Sequence, residues 1–200
     1  FNHGFRTPSS IFYINSLFYL PLIQYFTFNF TSVFILGYAN IILLKKIYDN
    51  KENLYILKDT KPINYDLVKY FALLIFVFIN IFFYRIGEHG TDRSAQILVL
   101  LLFCEILILF FKIENENYSN LKIYLLITLI VSLKAFYILY LLFLIPIYFY
   151  YIKKYTLKVF LLHTFTKRYI FAFFLVFIFV LSSYFFSTGC IIYPLAFTCF

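Results

Sequence analysis

The sequence contains no tryptophan, no methionine and few charged residues. Charged side chains make up 13% of its 200 residues and hydrophobic ones 64%, whereas soluble domains carry about 25% charged residues. A chain of this length cannot bury so much apolar surface in one water-soluble core, so lipid must be its solvent. Because it has no initiator methionine, we expect residues 1–200 to be a single transmembrane domain, an internal fragment of a longer protein.

Cysteine is also scarce, and its spacing excludes the usual thiolate metal sites. Cys104 lies within an apolar run and is expected to be buried. We expect no disulfide between Cys190 and Cys199, and the three cysteines do not have metal-ligand spacing.

Acidic residues are outnumbered by basic ones, nine against 17, which gives a net charge of +8. The basic residues concentrate in two polar stretches, 45–61 and 153–168. Short basic loops between membrane spans face the cytoplasm. Such loops need no nucleic-acid partner, and we expect none.

Five apolar runs alternate with these polar stretches, at 11–44, 67–84, 97–111, 121–151 and 169–187. Since lipid-exposed backbone must satisfy its hydrogen bonds internally, we expect an all-α polytopic transmembrane helix bundle with short and kinked helices and about five to six crossings. The predicted location is the inner (cytoplasmic) membrane. Alternation then places Lys51 and Lys158 in the cytoplasm and His89 and Thr188 outside.

Two of the runs are too long for one crossing. A continuous helix over 121–151 would be about 46 Å long, against a hydrocarbon core of about 30 Å. We favour two short helices that break near "SLKA", with Lys134 at the outer turn; one long helix bent at Pro146 is the alternative. The first run is interpreted as an interfacial helix on the outer surface, interrupted at Pro21, followed by a crossing that ends near Leu44.

One dense polar stretch interrupts the apolar sequence: "YRIGEHGTDRSAQ", residues 84–96, which we call the polar segment. It combines Arg85, Glu88, His89, Asp92 and Arg93. If a helix begins near its end, Asp92 lies in the first turn, where the macrodipole favours a carboxylate. Glu88 and Asp92 could hold a divalent metal, Mg or Mn, and arginine binds phosphate bidentately. The alternative is a solvated loop whose charges pair with one another.

Two further charges lie within apolar runs. For Glu105 there are two interpretations. It is a carboxylate satisfied by partners between helices, or a protonated one, or else it forms part of a polar pathway through the membrane. Removing an unneeded buried charge is favourable, so Glu105→Gln is expected to be tolerated or mildly stabilising. Lys134 either extends its ammonium to the interface or reaches a ligand there.

Four stretches, "FRTPSSIFYINSLFYLP", "RIGEHGTDRSAQIL", "LIVSLKAFYILYLLFLIP" and "STGCIIYPLAF", resemble bacterial polytopic membrane proteins of the GT-C glycosyltransferase type. The second resembles the second acidic motif of oligosaccharyltransferase-like members, which helps to bind metal and lipid phosphate. The last resembles a "TGNPxYP" stretch, although Cys190 stands where Asn is usual. The acidic residue of the first extracytoplasmic loop should precede Phe1, so the fragment alone is not expected to be active.

The resemblance implies a glycosyltransferase that uses a polyprenyl-phosphate-linked sugar donor in cell-envelope glycan assembly. Glu88, His89 and Asp92 would then serve the donor, Arg85 and Arg93 would neutralise the leaving phosphate, and Lys134 would reach the same phosphate. The alternative is a non-enzymatic membrane component, a flippase or transporter or a scaffold of a glycan-assembly complex, in which Glu105 and Lys134 form a polar pathway. Membrane lipid is a partner in both cases.

Overall fold

Helices account for nearly all of the part of the chain that the computed structural model describes, which is residues 15, 30–48, 62–83, 90–113, 115–154 and 168–189. The α-helices are α1 (Phe30–Tyr48), α2 (Pro62–Phe82), α3 (Gly90–Phe110), α4 (Glu116–Leu133), α5 (Leu144–Lys154) and α6 (Arg168–Thr188). A 3-10 helix, Ala135–Phe143, lies between α4 and α5. These ranges contain no strand, and the predicted all-α fold is confirmed.

Several of these helices have the length and composition of membrane spans. Four qualify among the described residues: Phe30–Tyr48, Asn64–Phe82, Asp92–Phe110 and Phe136–Lys153, the last of which joins the 3-10 helix to α5. The apolar part of α6, Phe173–Phe186, is shorter. The chain is therefore a multi-pass membrane protein by the character of its helices, while the total of five to six crossings and the orientation stay predictions.

The chain folds as two compact units. The first unit is Ile11–Leu126, and the second unit is Ile127–Phe200 together with Phe1–Ser10. Helix α4 begins in the first unit and ends in the second. The expectation of one domain over residues 1–200 stays a prediction, and each unit is described separately below.

In the first unit, α1, α2 and α3 pack against one another. Along α1 and α2 the buried positions recur every three or four residues, as a helix that buries one face requires; they include Ile35, Ala39 and Leu43 on α1 and Ala72, Ile75 and Ile79 on α2. Helix α3 is the most enclosed, with 67% of its span buried against 28% for each of the other two. It is the central element of the unit, so the groups along it are the ones that the other helices can contact.

Hydrogen bonds of polar side chains also connect α1 to α2 and to Asn15. Asn40 and Asn80 exchange two amide hydrogen bonds, of 3.1 and 2.8 Å, between α1 and α2. At the start of α1, the Thr31 amide donates to the side-chain oxygen of buried Asn15 at 3.3 Å. This bond satisfies one of the four amides that a helix leaves unpaired at its N-terminus. The interfacial helix predicted around Asn15 otherwise lies outside the described residues.

A tight turn reverses the chain between α3 and α4. The Lys112 amide bonds the Leu109 carbonyl and the Ile113 amide bonds the Ile108 carbonyl, with Lys112 at φ 54°. This is the Schellman arrangement, in which a left-handed residue ends a helix. Asn115 then caps α4 because its side-chain oxygen accepts the Asn117 amide at 3.0 Å. The turn sets the residues near the end of α3 beside those near the start of α4.

The chain leaves α-helical geometry at Lys134, as the sequence predicts for "SLKA". Helix α4 ends at Leu133, and Lys134 has an extended backbone, with φ −159° and ψ 136°. Pro146 lies in the first turn of α5, where proline is tolerated, and does not mark the break. The single helix bent at Pro146 is therefore wrong. Whether the two pieces form a hairpin with Lys134 at its outer turn stays a prediction.

The 3-10 helix is nine residues long, although such helices rarely exceed about four residues. Its residues i and i+3 eclipse one another, and here those positions are aromatic. Ring centroids are 5.6 Å apart for Tyr137 and Tyr140 and 5.8 Å apart for Tyr140 and Phe143. We call Tyr137, Tyr140 and Phe143 the aromatic ladder, and its contacts favour the three-residue winding.

In the second unit, α6 is attached to the end of α4 by a buried tyrosine. The Tyr184 hydroxyl donates to the Val131 carbonyl, which is one of the last four carbonyls of α4 and lacks a partner within that helix. Helix α6 ends where Gly189 takes φ 72° and its amide bonds the Phe185 carbonyl at 2.8 Å. Glycine adopts this left-handed conformation without strain.

Candidate functional site

The polar segment meets the described structure at the start of α3. Helix α3 begins at Gly90, and Asp92 lies in its first turn, as the sequence predicts. The Asp92 side chain is half-buried. Arg85, Glu88 and His89 lie outside the described residues, and their convergence with Asp92 stays a prediction.

The Arg93 side chain contacts the end of the preceding helix, α2. Its guanidinium donates from Nη1 to the Phe82 carbonyl, and its Cζ lies 5.2 Å from the centre of the Phe83 ring. Phe82 is the last residue of α2, where the helix macrodipole is negative and carbonyls lack partners. Arg93 therefore fastens the start of α3 to the end of α2. That bond uses one of five N–H donors, so binding of phosphate by Arg93 stays a prediction.

The structure provides no preformed metal site in the part of the chain that it describes. There, no three His, Cys, Asp or Glu side chains are grouped so that they could hold a metal ion. Asp92 is the one predicted ligand whose position is described, and Glu88 is not. The Mg or Mn site at Glu88 and Asp92 thus stays a prediction.

Lys134 lies in the second unit, at the break between α4 and the 3-10 helix. Its side chain is half-buried, and its Nζ is 5.9 Å from the centre of the Tyr137 ring. It thus continues the three-residue spacing of the aromatic ladder by one step. A joint contact of Lys134 and the polar segment with one phosphate stays a prediction.

The partners of Glu105 are not evident from the sequence pattern. Its Oε1 lies 2.7 Å from Lys46 Nζ on α1, and its Oε2 lies 3.6 Å from Lys122 Nζ on α4. The exposed fractions of the three side chains are 5% for Glu105, 10% for Lys46 and 24% for Lys122. Of the two alternatives, the structure favours the carboxylate that has partners on neighbouring helices, although Oε2 is buried and accepts no hydrogen bond from the described residues. We call Glu105, Lys46 and Lys122 the charged triad.

The charged triad lies near one end of the first unit rather than in its middle. Glu105 comes five residues before the end of α3, or about 7.5 Å along its axis. Lys122 comes six residues after the start of α4, or about 9 Å, and Lys46 is in the last turn of α1. Arg93, at the start of α3, is about 18 Å from Glu105 along the helix. Among the described residues of the first unit, charged side chains thus lie toward both ends of α3.

The triad left only a weak signal in the sequence. Lys46 belongs to a basic stretch that the positive-inside rule already accounts for, and Lys122 follows a polar loop, so neither lysine calls for a partner. Lys46 lies near the C-terminal end of α1 and Lys122 near the N-terminal end of α4, and the predicted topology puts both ends on the same side of the membrane as the C-terminal end of α3. Glu105 lies near that end of α3 and is the one acid within the apolar run 97–111. A search for a cation within reach of that acid would have suggested the pairing.

Comparison with known proteins adds no assignment, because no family model, curated protein or solved structure matches this chain.

Proposed function

We propose that this chain is the membrane part of a GT-C-like glycosyltransferase of the inner membrane, which takes a sugar from a polyprenyl-phosphate carrier for cell-envelope glycan assembly. The start of α3 and the polar segment would receive the carrier phosphate on the outer face. Arg85 and Arg93 would neutralise the leaving phosphate, and Glu88, His89 and Asp92 would position it. A divalent metal on Glu88 and Asp92 would add positive charge there.

The observation that carries the proposal is the pair of Asp92 and Arg93 in the first turn of a membrane helix. Arg93 is held by the Phe82 carbonyl, so the start of α3 is fixed relative to the end of α2. Sugar transfer with a phosphate leaving group depends on such preorganised charge, because a group that is already in place need not be reorganised as the reaction proceeds. The remaining predicted ligands, Arg85, Glu88 and His89, lie in the short connection between these two fixed helix ends.

The non-enzymatic alternative loses part of its basis. A transporter should distribute polar groups through the membrane, and Glu105 was the acid that suggested such a pathway. In the structure Glu105 is ion-paired to Lys46 and close to Lys122, near one end of α3. That arrangement favours a fixed charge over a mobile one.

The test is Asp92→Asn in the full-length protein. The exchange keeps the volume and removes the charge at the edge of the apolar region, so insertion should be unaffected. Glycan assembly should fall by about 10²-fold or more, as for other losses of a positioned charge. The measurement is the surface-glycan profile, normalised to the abundance of the protein in the membrane.

Glu116→Gln is the matched control, because Glu116 also lies in the first turn of a helix, α4. It should leave the glycan unchanged. If Asp92→Asn leaves the glycan intact while the protein is present at normal abundance, the donor site is not at α3, and a scaffold or transporter becomes the better hypothesis.

A further inference from the structure

Two asparagines form an accessible amide pair in the membrane spans of the first unit. Asn40 on α1 and Asn80 on α2 exchange side-chain hydrogen bonds of 3.1 and 2.8 Å, and Asn80 Nδ2 also donates to the Phe76 carbonyl at 2.7 Å. Asn80 is exposed and Asn40 is half-buried. We call Asn40 and Asn80 the amide pair. Polar side chains commonly join membrane helices at their interface, whereas this pair can also be reached from outside.

The amide pair keeps unused hydrogen-bonding capacity. Each side-chain amide has two N–H donors and two acceptor lone pairs. Among the described residues, the bonds above leave one N–H of Asn40 and one lone pair on each oxygen without a partner. Facing hydrocarbon, such groups would stay unsatisfied at a cost in free energy. The pair therefore suits water or a hydroxyl-bearing ligand better than lipid tails.

The Arg93 guanidinium lies about one helix turn from the amide pair. The Phe83 amide bonds the Ile79 carbonyl at 3.0 Å, so the helical spacing of α2 continues to Phe83. Asn80 and Phe83 are thus neighbours three residues apart on one face. Arg93 Cζ is 5.2 Å from the centre of the Phe83 ring, and its bond to the Phe82 carbonyl uses one of five N–H donors. A positive charge and two neutral amides therefore lie close together near the end of α2.

Space for a ligand lies beside the amide pair on α1. Gly37 is exposed and precedes Asn40 by three residues, so the two lie on one face. A Cβ at Gly37 would have no described protein atom within 4 Å. Because α1 ends beside the C-terminal end of α3 and α2 ends beside its N-terminal end, α1 and α2 run in opposite directions. Gly37 therefore lies on the side of the amide pair that faces the start of α3, where Arg93 is.

We propose that the amide pair binds hydroxyl groups of the donor sugar while Arg93 holds the phosphate to which that sugar is attached. This inference rests on the proposed function. The amides are uncharged, which suits neutral hydroxyls rather than a second phosphate or a carboxylate, and a hydroxyl both donates and accepts, as the unused N–H and lone pairs require. The sugar is bonded directly to the phosphate, so its hydroxyls reach a site about 5.4 Å, or one helix turn, away. The open space at Gly37 receives the sugar ring.

The test uses the full-length protein in nanodiscs and measures lipid binding by native mass spectrometry. The probes are undecaprenyl phosphate and its glucosyl and mannosyl esters. The unmodified protein should bind at least one glycosylated lipid about tenfold more tightly than the bare phosphate, as one or two additional hydrogen bonds provide. Asn40→Leu combined with Asn80→Leu should remove that preference and keep the affinity for the bare phosphate. Replacing both hydrogen-bonding partners by apolar groups of similar shape has little effect on folding.

Gly37→Leu is a second, independent variant. Since nothing among the described residues is within 4 Å of a Cβ there, the larger side chain should be accommodated by the fold and fill the space for the sugar. It should lower the affinity for the glycosylated lipid about tenfold and leave that for the bare phosphate unchanged. Asn117→Leu is the matched control, because it makes the same exchange at an exposed position of α4. It should leave both affinities unchanged.

The outcomes separate the sugar site from the phosphate site. Equal affinities of the unmodified protein for bare and glycosylated lipids, or an undiminished preference in the double variant or in Gly37→Leu, would overturn the sugar site and leave the phosphate site at α3 in place. Undecaprenyl phosphate that binds Arg93→Gln as tightly as it binds the unmodified protein would overturn the phosphate site, and the sugar site with it.

Discussion

The partners of Glu105 change the effect that its replacement should have on stability. As an isolated carboxylate in an apolar run it favours replacement, and the sequence predicts that Glu105→Gln is tolerated. Next to Lys46 and Lys122 the opposite follows, because the neutral side chain would leave two lysines close together without their carboxylate. Breaking a buried pair from one side is strongly destabilising.

We therefore expect Glu105→Gln to lower the free energy of unfolding by about 3 kcal/mol. Thermal unfolding of the detergent-solubilised protein would measure it. Replacing all three triad residues by apolar residues of similar size, as in Lys46→Met, Glu105→Leu and Lys122→Met together, should recover most of that loss, because no charge then stays buried. A single Glu105→Gln variant as stable as the parent would show that the lysines do not depend on this carboxylate.

Among the elements, the turn after α3 contains the clearest backbone strain. Lys112 has φ 54°, a conformation that costs a residue with a side chain about 1 kcal/mol or more, and glycine normally fills this position in a Schellman motif. Lys112→Gly should raise the free energy of unfolding by about 0.5–1 kcal/mol. Lys112→Ala, which removes the same charge but keeps Cβ, should give no such gain. Equal stability of the two variants would indicate that φ at residue 112 is not left-handed.

The helices themselves were predictable, and their contacts were not. The apolar runs and the excess length of 121–151 predict helices and a break near Lys134, because lipid leaves the backbone few alternatives. The 3-10 winding was missed, although Lys134, Tyr137, Tyr140 and Phe143 repeat every three residues. The charged triad depends on how three helices are rotated against one another, and no local pattern fixes that rotation.

At the scale of the molecule, the triad bears on the topology. It sets the C-terminal end of α1 level with the C-terminal end of α3 and the N-terminal end of α4, so α1 and α3 end on the same side of the first unit. The charge rule predicts that this side is cytoplasmic. The ion pairing of the triad agrees with the alternation of spans that the sequence predicts. The in–out orientation of the predicted topology depends on the basic loops alone.

Single-cysteine labelling in intact cells tests that direction. In a background without Cys104, Cys190 and Cys199, an impermeant reagent should modify His89→Cys and Thr188→Cys and leave Lys51→Cys and Lys158→Cys protected until the cells are permeabilised. Permeabilised cells serve as the control for reactivity at all four positions. Labelling of position 51 in intact cells would reverse the map.

The 3-10 winding that the aromatic ladder favours changes the length of the membrane span that contains it. A 3-10 helix rises about 2.0 Å per residue against about 1.5 Å for an α-helix, so residues 135–154 extend about 34 Å rather than about 30 Å. Rewinding Ala135–Phe143 to α geometry would shorten this span by about 4 Å and turn its ends about half a revolution relative to each other. A thicker bilayer favours the longer winding and a thinner one the shorter. Membrane thickness would thereby set the direction in which Lys134 faces.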